Sequence, residues 1–237
     1  MGRNNWFEFK QFRIEQQRSA MKVGTDGVLL GAWAPVKNGQ RILDAGTGTG
    51  LIALMLAQRS DSIIDAVEID AQACLEAQFN FKKSDWSTRL NVFNADFHLF
   101  SEQGGNSYDL IVSNPPFFIN SLKSNNKALA VARHNDRLSF GQLISGAWKL
   151  LRVGGRLCVI IPYGNCMEFR ETARLAGFYL CQQTTVFPQT GKVPKRVLLE
   201  FSNDPCYPTE DEIAILDEHG VYTENYKILT APYYPAF

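Results

Sequence analysis

The most constraining feature of this sequence is the glycine-rich segment Leu43-Asp44-Ala45-Gly46-Thr47-Gly48-Thr49-Gly50. It follows a short strand-like run at 41–43 and precedes a helix-forming run at 51–59. A glycine loop in this position lets a ligand approach the backbone N–H groups at the N-terminus of the helix. The segment therefore predicts an α/β fold with a ligand site where its first central strand ends.

Strand-like and helix-like segments alternate along the rest of the chain. Strands are predicted at 41–43, 63–69, 90–93, 109–113, 156–161, 179–187 and 197–201, with helical segments between most of them. Such alternation is typical of right-handed βαβ units. The sequence therefore predicts a seven-stranded, mostly parallel sheet with helices on both faces.

The length of 237 residues suits a single domain. We interpret 1–37 as a short N-terminal arm with a capping helix, 38–202 as the core, and 203–237 as a C-terminal extension. The arm is rich in aromatic residues between Trp6 and Ile14, which favours a strand or a hairpin ahead of the core.

The five cysteines form neither a CxxC pair nor a Cys/His cluster at zinc spacing, and their odd number argues against a secreted disulfide framework. We expect reduced thiols, a cytoplasmic protein and no bound metal. The longest apolar stretch, at 51–57, is too short to span a bilayer, so we expect no membrane association.

The glycine segment has the form D-x-G-x-G-x-G and resembles motif I of the Rossmann-like S-adenosylmethionine-dependent methyltransferases. This resemblance implies that S-adenosylmethionine binds at the loop, with its methionyl carboxylate at the helix N-terminus and Asp44 near its cationic end. By position, Glu68 accepts the ribose hydroxyls and Ile69 offers an apolar surface to the adenine ring. Further cofactor-binding residues implied by the resemblance, besides Gly46, Gly48 and Gly50, are Asp96, Phe97, Lys22 and Thr25. For Asp96, capping of the following helix is the alternative.

A second motif, Asn114-Pro115-Pro116-Phe117, directly follows the strand predicted at 109–113. It resembles the Asn/Asp-Pro-Pro-aromatic motif of methyltransferases that act on a nitrogen conjugated to a π-system. Such a nitrogen is a poor nucleophile because its lone pair is delocalised. The resemblance implies that the Asn114 side-chain oxygen and the Pro115 carbonyl accept the two amino protons, that Pro115 and Pro116 stiffen the loop, and that Phe117 stacks on the substrate.

Further segments extend the resemblance over nearly the whole chain. They are Phe9-Lys10-Gln11-Phe12, the run from Met21 to Trp33, Ala132-Arg133-His134, Lys195-Arg196-Val197-Leu198 and Tyr222-Thr223. These segments resemble the bacterial tRNA (adenine-N6)-methyltransferases that modify the adenosine beside the anticodon of a valine tRNA. The resemblance implies transfer of a methyl group to N6 of that adenine.

Three alternatives share part of this pattern. Glutamine-N5 methyltransferases of release factors use a similar loop but usually carry a helical domain ahead of the glycine loop, whereas only about forty residues precede it here. Guanine-N2 methyltransferases of ribosomal RNA often have His where Phe118 stands. A non-enzymatic scaffold does not explain an intact Asn-Pro-Pro-Phe motif.

Any affinity for tRNA must come from local clusters, since 24 basic residues balance 24 acidic ones. Solvation of these side chains at the surface is the simpler reading for any one cluster. If they track the phosphates of tRNA, the residues that do so are Lys10, Arg13, Arg18, Arg133, Lys192, Lys195 and Arg196.

Overall fold

The computed structural model describes residues 4–19, 21–105, 107–116 and 138–235. The arm is an antiparallel hairpin of β1 (Trp6–Glu8) and β2 (Arg13–Glu15), with Phe7 opposite Ile14. Its inner side packs on the end of the chain, where the ring of Phe9 stacks on that of Tyr234 at 5.9 Å between centroids. The arm is therefore attached to the core through aromatic contacts.

The centre of the molecule is a sheet of eight described strands. They are β3 (Arg41–Ala45), β4 (Ile63–Glu68), β5 (Leu90–Asn94), β6 (Tyr108–Ser113), β7 (Leu151–Pro162), β8 (Tyr179–Gln189), β9 (Arg196–Ser202) and β10 (Thr209–Leu216). Their spatial order is β10-β8-β9-β7-β6-β3-β4-β5. Only β9 runs antiparallel to its neighbours, so the mostly parallel sheet is confirmed.

The predicted strand number of seven is wrong, because β10 adds an eighth strand parallel to β8 at the edge of the sheet. The sequence of β10 begins Thr209-Glu210-Asp211-Glu212 and does not alternate apolar with polar residues. Charged side chains are common on edge strands, where they discourage pairing with another chain. The acidic run is therefore compatible with its place at the edge of the sheet.

Seven described helices cover the two faces of the sheet. They are α1 (Thr25–Trp33), α2 (Leu51–Gln58), α3 (Ala71–Lys83), α4 (Phe97–Glu102), α5 (Phe140–Leu150), α6 (Cys166–Leu175) and α7 (Glu224–Thr230). Buried side chains of α1, α2, α3 and α7 share one apolar cluster, and those of α4, α5 and α6 share another. The prediction of helices on both faces is therefore confirmed.

Two of the five cysteines are paired, which contradicts the expectation of five reduced thiols. Cys181 on β8 and Cys206, just before β10, form a disulfide, while Cys74, Cys158 and Cys166 are free and buried. The two partners lie 25 residues apart in sequence. No short spacing motif marks such a pair, and only the placement of β10 beside β8 brings the two together.

Gly50 sits at the junction between the glycine loop and α2. Its φ is +84°, and a Cβ built there lies 2.5 Å from Cε1 of Phe81 on α3. Gly39 also has a positive φ, +73°, but a Cβ there meets nothing within 4 Å. Gly50 is therefore required by packing as well as by its backbone conformation.

We predict that Gly50→Ala lowers the free energy of unfolding more than Gly39→Ala. Both variants carry the strain of a left-handed residue, about 1–2 kcal/mol, and Gly50→Ala adds an overpacking cost of about 1–3 kcal/mol against Phe81. Urea unfolding of the two variants and the parent measures the difference. Equal losses in the two variants would show that the ring of Phe81 accommodates the methyl group.

Candidate active site at the carboxyl edge of the sheet

A cleft opens at the carboxyl edge of the sheet, where β3, β4 and β6 end. It consists of two adjoining cavities of about 240 and 350 Å³. Both are lined by Met21, Gly46, Gly48 and Asn114. In parallel α/β sheets, ligands bind outside this edge. The glycine loop and the Asn-Pro-Pro loop therefore border one continuous space.

The glycine loop is held against β4 and leaves its outer surface open. The N–H groups of Gly46 and Thr47 donate to the carbonyl of Val67 at 2.9 and 3.1 Å. A Cβ built at Gly46 meets nothing within 4 Å, and one at Gly48 meets only Oγ of Ser19, at 3.9 Å. Gly46 and Gly48 therefore line the cleft. Gly50 packs on Phe81 and does not line it.

Asp44 lies beneath the loop and is fully buried. Its Oδ2 accepts hydrogen bonds from Oγ1 of Thr47 at 2.6 Å and from the N–H of Ala53 at 3.2 Å. Its Oδ1 has no hydrogen-bond partner among the described residues. Burial raises the pKa of Asp44 to about 7, although the bonds from Thr47 and Ala53 oppose the rise. The carboxylate thus ties the loop to α2, and its charge is costly without a nearby cation.

Glu68, the last residue of β4, bridges two backbone segments that border the cleft. Its Oε2 accepts from the N–H of Gly48 at 2.8 Å, and its Oε1 accepts from the N–H of Asp70 at 2.9 Å. Asp70 in turn caps α3 through the N–H groups of Gln72 and Ala73. Ile69 is 51% exposed and lines the larger cavity together with Glu68. Each carboxylate oxygen of Glu68 keeps a lone pair for a further donor.

Asp96 and Phe97 line the same cavity from the start of α4. Oδ1 of Asp96 accepts from the N–H of Leu99 at 3.0 Å, so the capping alternative is confirmed. Capping uses one carboxylate oxygen and leaves the other for a ligand in the cavity. Phe97 is only 5% exposed, so it forms more of the cavity floor than of its rim.

The segment from Met21 to Asp26 closes the cleft on the side of the smaller cavity, and both Lys22 and Thr25 line it. The ammonium group of Lys22 donates to the carbonyl of Gln16, and Thr25 is the first residue of α1. Asp26 accepts from Nε of Arg196 at 2.7 Å, which links this wall to β9. The structure therefore brings both predicted residues to the cleft.

The Asn-Pro-Pro loop leaves β6 directly into the cleft. Oγ of Ser113 donates to the carbonyl of Ala45 at 2.7 Å and so fixes the end of β6 to that of β3. Oδ1 of Asn114 is buried and has no hydrogen-bond partner in the described parts of the chain. Pro116 lines the larger cavity, Pro115 is buried, and Phe117 lies outside the described residues.

The predicted RNA-binding residues occupy different surroundings. Lys10 donates to the carbonyl of Ala231 at 2.7 Å, and Arg13 forms an ion pair with Glu15 at 3.0 Å. Lys192 and Lys195 lie in the loop between β8 and β9. Because β8 runs parallel to β7, that loop is also at the carboxyl edge of the sheet. Arg133 lies outside the described residues, and the phosphate-binding role of the whole set stays a prediction.

Two residues that sequence reasoning missed hold the arm against this site. Glu76 on α3 accepts from the N–H groups of residues 17, 18 and 19 at 2.5–2.8 Å. Asn80, one turn further along α3, bonds both the N–H and the carbonyl of Glu15 and also the carbonyl of Thr49. The sequence signal for these contacts was the pair Glu76 and Asn80 itself, two polar residues four positions apart among apolar positions of an amphipathic helix.

These groups fit the cofactor implied by motif I. Asn114 lines the cleft and its Oδ1, an acceptor without a partner among the described residues, suits an amine. The carboxylate of Asp44, buried beneath the loop, favours a cation bound above it, and the open surface of Gly46 and Gly48 suits close approach of a ligand to the backbone. In the described ranges, no cluster of three or more His, Cys, Asp or Glu residues has the arrangement of a metal site. None of the described helices is long and apolar enough to cross a membrane.

Comparison with known proteins agrees with this geometry. Residues 19–170 match the family model described as Methyltransferase small domain. A structure described as a predicted O-methyltransferase from Agrobacterium tumefaciens superposes with a TM-score of 0.68 at 18% identity, over 88% of this chain and 96% of that chain. A geranyl diphosphate C-methyltransferase from Streptomyces coelicolor in complex with S-adenosyl-L-homocysteine superposes with a TM-score of 0.53 at 12% identity, over 74% and 77%. The fold and the cleft together define a Rossmann-like S-adenosylmethionine-dependent methyltransferase.

Curated relatives are considerably more similar in sequence than these structures. A Phocaeicola vulgatus protein is 46% identical over 98% of both chains, and a Bacteroides fragilis protein is 43% identical over 97% of both. A Trichodesmium erythraeum protein is 45% identical over 97% of this chain and 98% of its own. All three are named tRNA1(Val) (adenine(37)-N6)-methyltransferase, and this chain belongs to that family.

Asp44 provides a test of the electrostatics beneath the loop. Between about pH 4 and pH 7, the folded state keeps a proton that the unfolded chain has released, so this residue makes the folded state less stable as the pH rises. We predict that Asp44→Asn removes this effect, so that the variant gains stability relative to the parent from pH 4 to pH 8. Urea unfolding of both proteins across that range is the measurement. A constant difference in the free energy of unfolding would contradict a raised pKa.

Proposed function

We propose that this chain transfers a methyl group from S-adenosylmethionine to N6 of adenosine 37, beside the anticodon of a valine tRNA. The position of Asn114 supports this proposal most directly. It lines both cavities of the cleft, and its buried Oδ1 is an acceptor without a partner in the described structure. The names of relatives 43–46% identical over nearly the full length support the same substrate.

In this proposal, residues of both cavities would hold the cofactor. The backbone of Gly46 and Gly48 allows its close approach, and Glu68 accepts hydrogen bonds from its ribose. Ile69 and Phe97 contact the adenine ring, and Asp96 accepts from the adenine amino group with its second oxygen. Lys22 and Thr25 close the methionine side, while the buried charge of Asp44 favours the cationic end of the ligand. When bound, S-adenosylmethionine supplies a methyl group activated by its sulfonium.

Asn114 and Pro115 act on the nucleophile. The lone pair of an adenine amino nitrogen is conjugated with the ring, so this nitrogen must move towards tetrahedral geometry as it attacks. Oδ1 of Asn114 and the carbonyl of Pro115 accept hydrogen bonds from the two amino N–H groups and favour that change. The nitrogen would form its bond to the methyl carbon as the carbon–sulfur bond breaks, S-adenosyl-L-homocysteine would be the leaving group, and the methylated nitrogen would release one proton to water. Pro115 and Pro116 lack N–H groups and restrict the backbone, so the acceptors need little reorganisation in the transition state. Phe117 stacks on the substrate base.

The substrate is tested directly with a valine tRNA transcript and methyl-labelled cofactor. We expect labelled N6-methyladenosine after digestion to nucleosides, and none from a transcript with guanosine at position 37. Chromatography with mass spectrometry identifies the product. Label in N2-methylguanosine, or in protein rather than RNA, would replace the proposal with one of the two enzymatic alternatives.

Substitution of Asn114 separates catalysis from binding. We predict that Asn114→Ala lowers the single-turnover rate of methylation by about two orders of magnitude, the effect of removing one preorganised electrostatic partner. Cofactor affinity should change little, because the contribution of Asn114 is greatest in the transition state. Asn114→Asp keeps an acceptor oxygen at the same position and should retain more of the rate. An Asn114→Ala enzyme that methylates at the parent rate would remove this loop from the mechanism.

A further inference from the structure

A large groove lies outside the cofactor cleft, between the hairpin of β1 and β2 and the outer side of α3. Its volume is about 1010 Å³. Trp6 contributes from the hairpin, and Leu75 and Phe79 contribute from α3. These three apolar side chains are 41%, 46% and 49% exposed, respectively. An open groove with aromatic rings on both walls is suited to a flat ligand.

The groove adjoins the cleft in two places. Gln17 and Arg18 line the groove, whereas Ser19, the next residue, lines the larger cavity of the cleft. A further cavity lies beside both, since its walls include Trp6, which also lines the groove, and Lys22, which also lines the smaller cleft cavity. Consecutive Cα atoms are 3.8 Å apart, so the two sites are direct neighbours at this segment.

The groove lining has a small excess of positive charge, since it contains Arg13, Arg18 and Lys82 against Glu15 and Glu76. Arg18 and Lys82 are exposed on its walls, and neither forms an ion pair within the described residues. Glu15 is paired with Arg13, and the carboxylate of Glu76 is occupied by three backbone N–H groups. The formal net charge of the chain is zero, so the unpaired side chains of Arg18 and Lys82 form a local site that attracts an anion.

A cation of the groove lining also lies over one of the aromatic rings. The guanidinium carbon of Arg13 is 4.1 Å from the centroid of the Trp6 ring. Stacking surfaces combined with cations are the usual means of binding unpaired nucleotides. The bonds from Glu76 and Asn80 to residues 15–19 hold the hairpin wall in place, so little ordering is needed when a ligand binds.

We propose that this groove binds an unpaired nucleotide of the same tRNA, adjacent in the chain to the methylated adenosine. Its base lies against Trp6 and Phe79, and its phosphate contacts Arg18 and Lys82. The proposal rests on the proposed function, because it assumes that the adenosine enters the cleft. It adds a second nucleotide site, which gives the N-terminal arm a role in selecting a loop in which neighbouring bases are unpaired.

The test measures the affinity of a labelled anticodon stem-loop of valine tRNA for the full chain. Phe79→Ala should raise the dissociation constant about 5- to 150-fold, the effect of one lost stacking contact. Tyr207→Ala is the matched control, since this side chain is 96% exposed and is not part of the groove wall. Arg18→Ala should lower the salt dependence of binding by about one phosphate contact. Its control is Arg174→Ala, at an exposed arginine on α6.

Cofactor affinity should be unchanged in all four variants, which checks that each is folded. If Phe79→Ala and Arg18→Ala bind the stem-loop as their controls do, while the parent still methylates adenosine 37, the groove proposal is wrong and the proposed function stands. If the parent forms no N6-methyladenosine, the proposed function is wrong, and a groove that still binds RNA through Phe79 serves another RNA reaction. If the groove binds a protein segment instead, neither Phe79→Ala nor Arg18→Ala changes the affinity for RNA, and that result would also overturn the proposal.

Discussion

The parallel pairing of β3 with β4 and β6 fixes the geometry of this site. Its register places Asp44 opposite Ala66 on one side and Val112 on the other. Gly46, Glu68 and Asn114 each lie two residues beyond these positions. The loop, the acidic residue and the amide therefore meet at one level of the sheet edge. Register in a buried sheet is strongly specified, because a slip of one residue moves every side chain to the opposite face.

Two buried acceptors of the site have no hydrogen-bond partner among the described residues, although the surrounding framework is well bonded. A buried acceptor without a partner costs about 1–3 kcal/mol, and both Asp44 and Asn114 have one among the described residues. The surrounding contacts hold these groups in place. Ser113 joins β6 to β3, Glu68 supports the glycine loop, and Glu76 fixes the arm. In the proposed function, this cost is offset when a cation binds near Asp44 and an amine donates to Asn114, which is the preorganisation that transfer chemistry requires.

Most of the parallel core could be predicted from the sequence, because each strand is a short apolar run that ends in a distinctive loop. The positions of Glu68, Asp96 and Asn114 at one edge follow from that topology. The eighth strand could not be predicted, because its acidic residues suit an edge strand but do not show the alternation of apolar and polar residues that marks a strand in a sequence. The disulfide between Cys181 and Cys206 depends on that strand and was missed for the same reason.

The contacts between arm and core are also long-range and left little local signal. Glu76 and Asn80 are ordinary helical residues in the sequence, and their role depends on residues 57–65 positions away in the chain. Gly50 belongs to a ligand-binding motif, yet its contact with Phe81 is a packing requirement. The groove beside α3 is formed only when the hairpin is placed against the helix, so neither segment alone predicts it.

We expect S-adenosylmethionine to bind at the edge of the sheet where β3, β4 and β6 end. Amide hydrogen exchange of the parent protein with and without S-adenosylmethionine locates this binding site. We expect slowed exchange on cofactor binding to be greatest in residues 46–52 and 67–70, with little change in β8, β10 and α6. Protection centred at the opposite edge of the sheet, or an unchanged glycine loop in a protein saturated with cofactor, would contradict it.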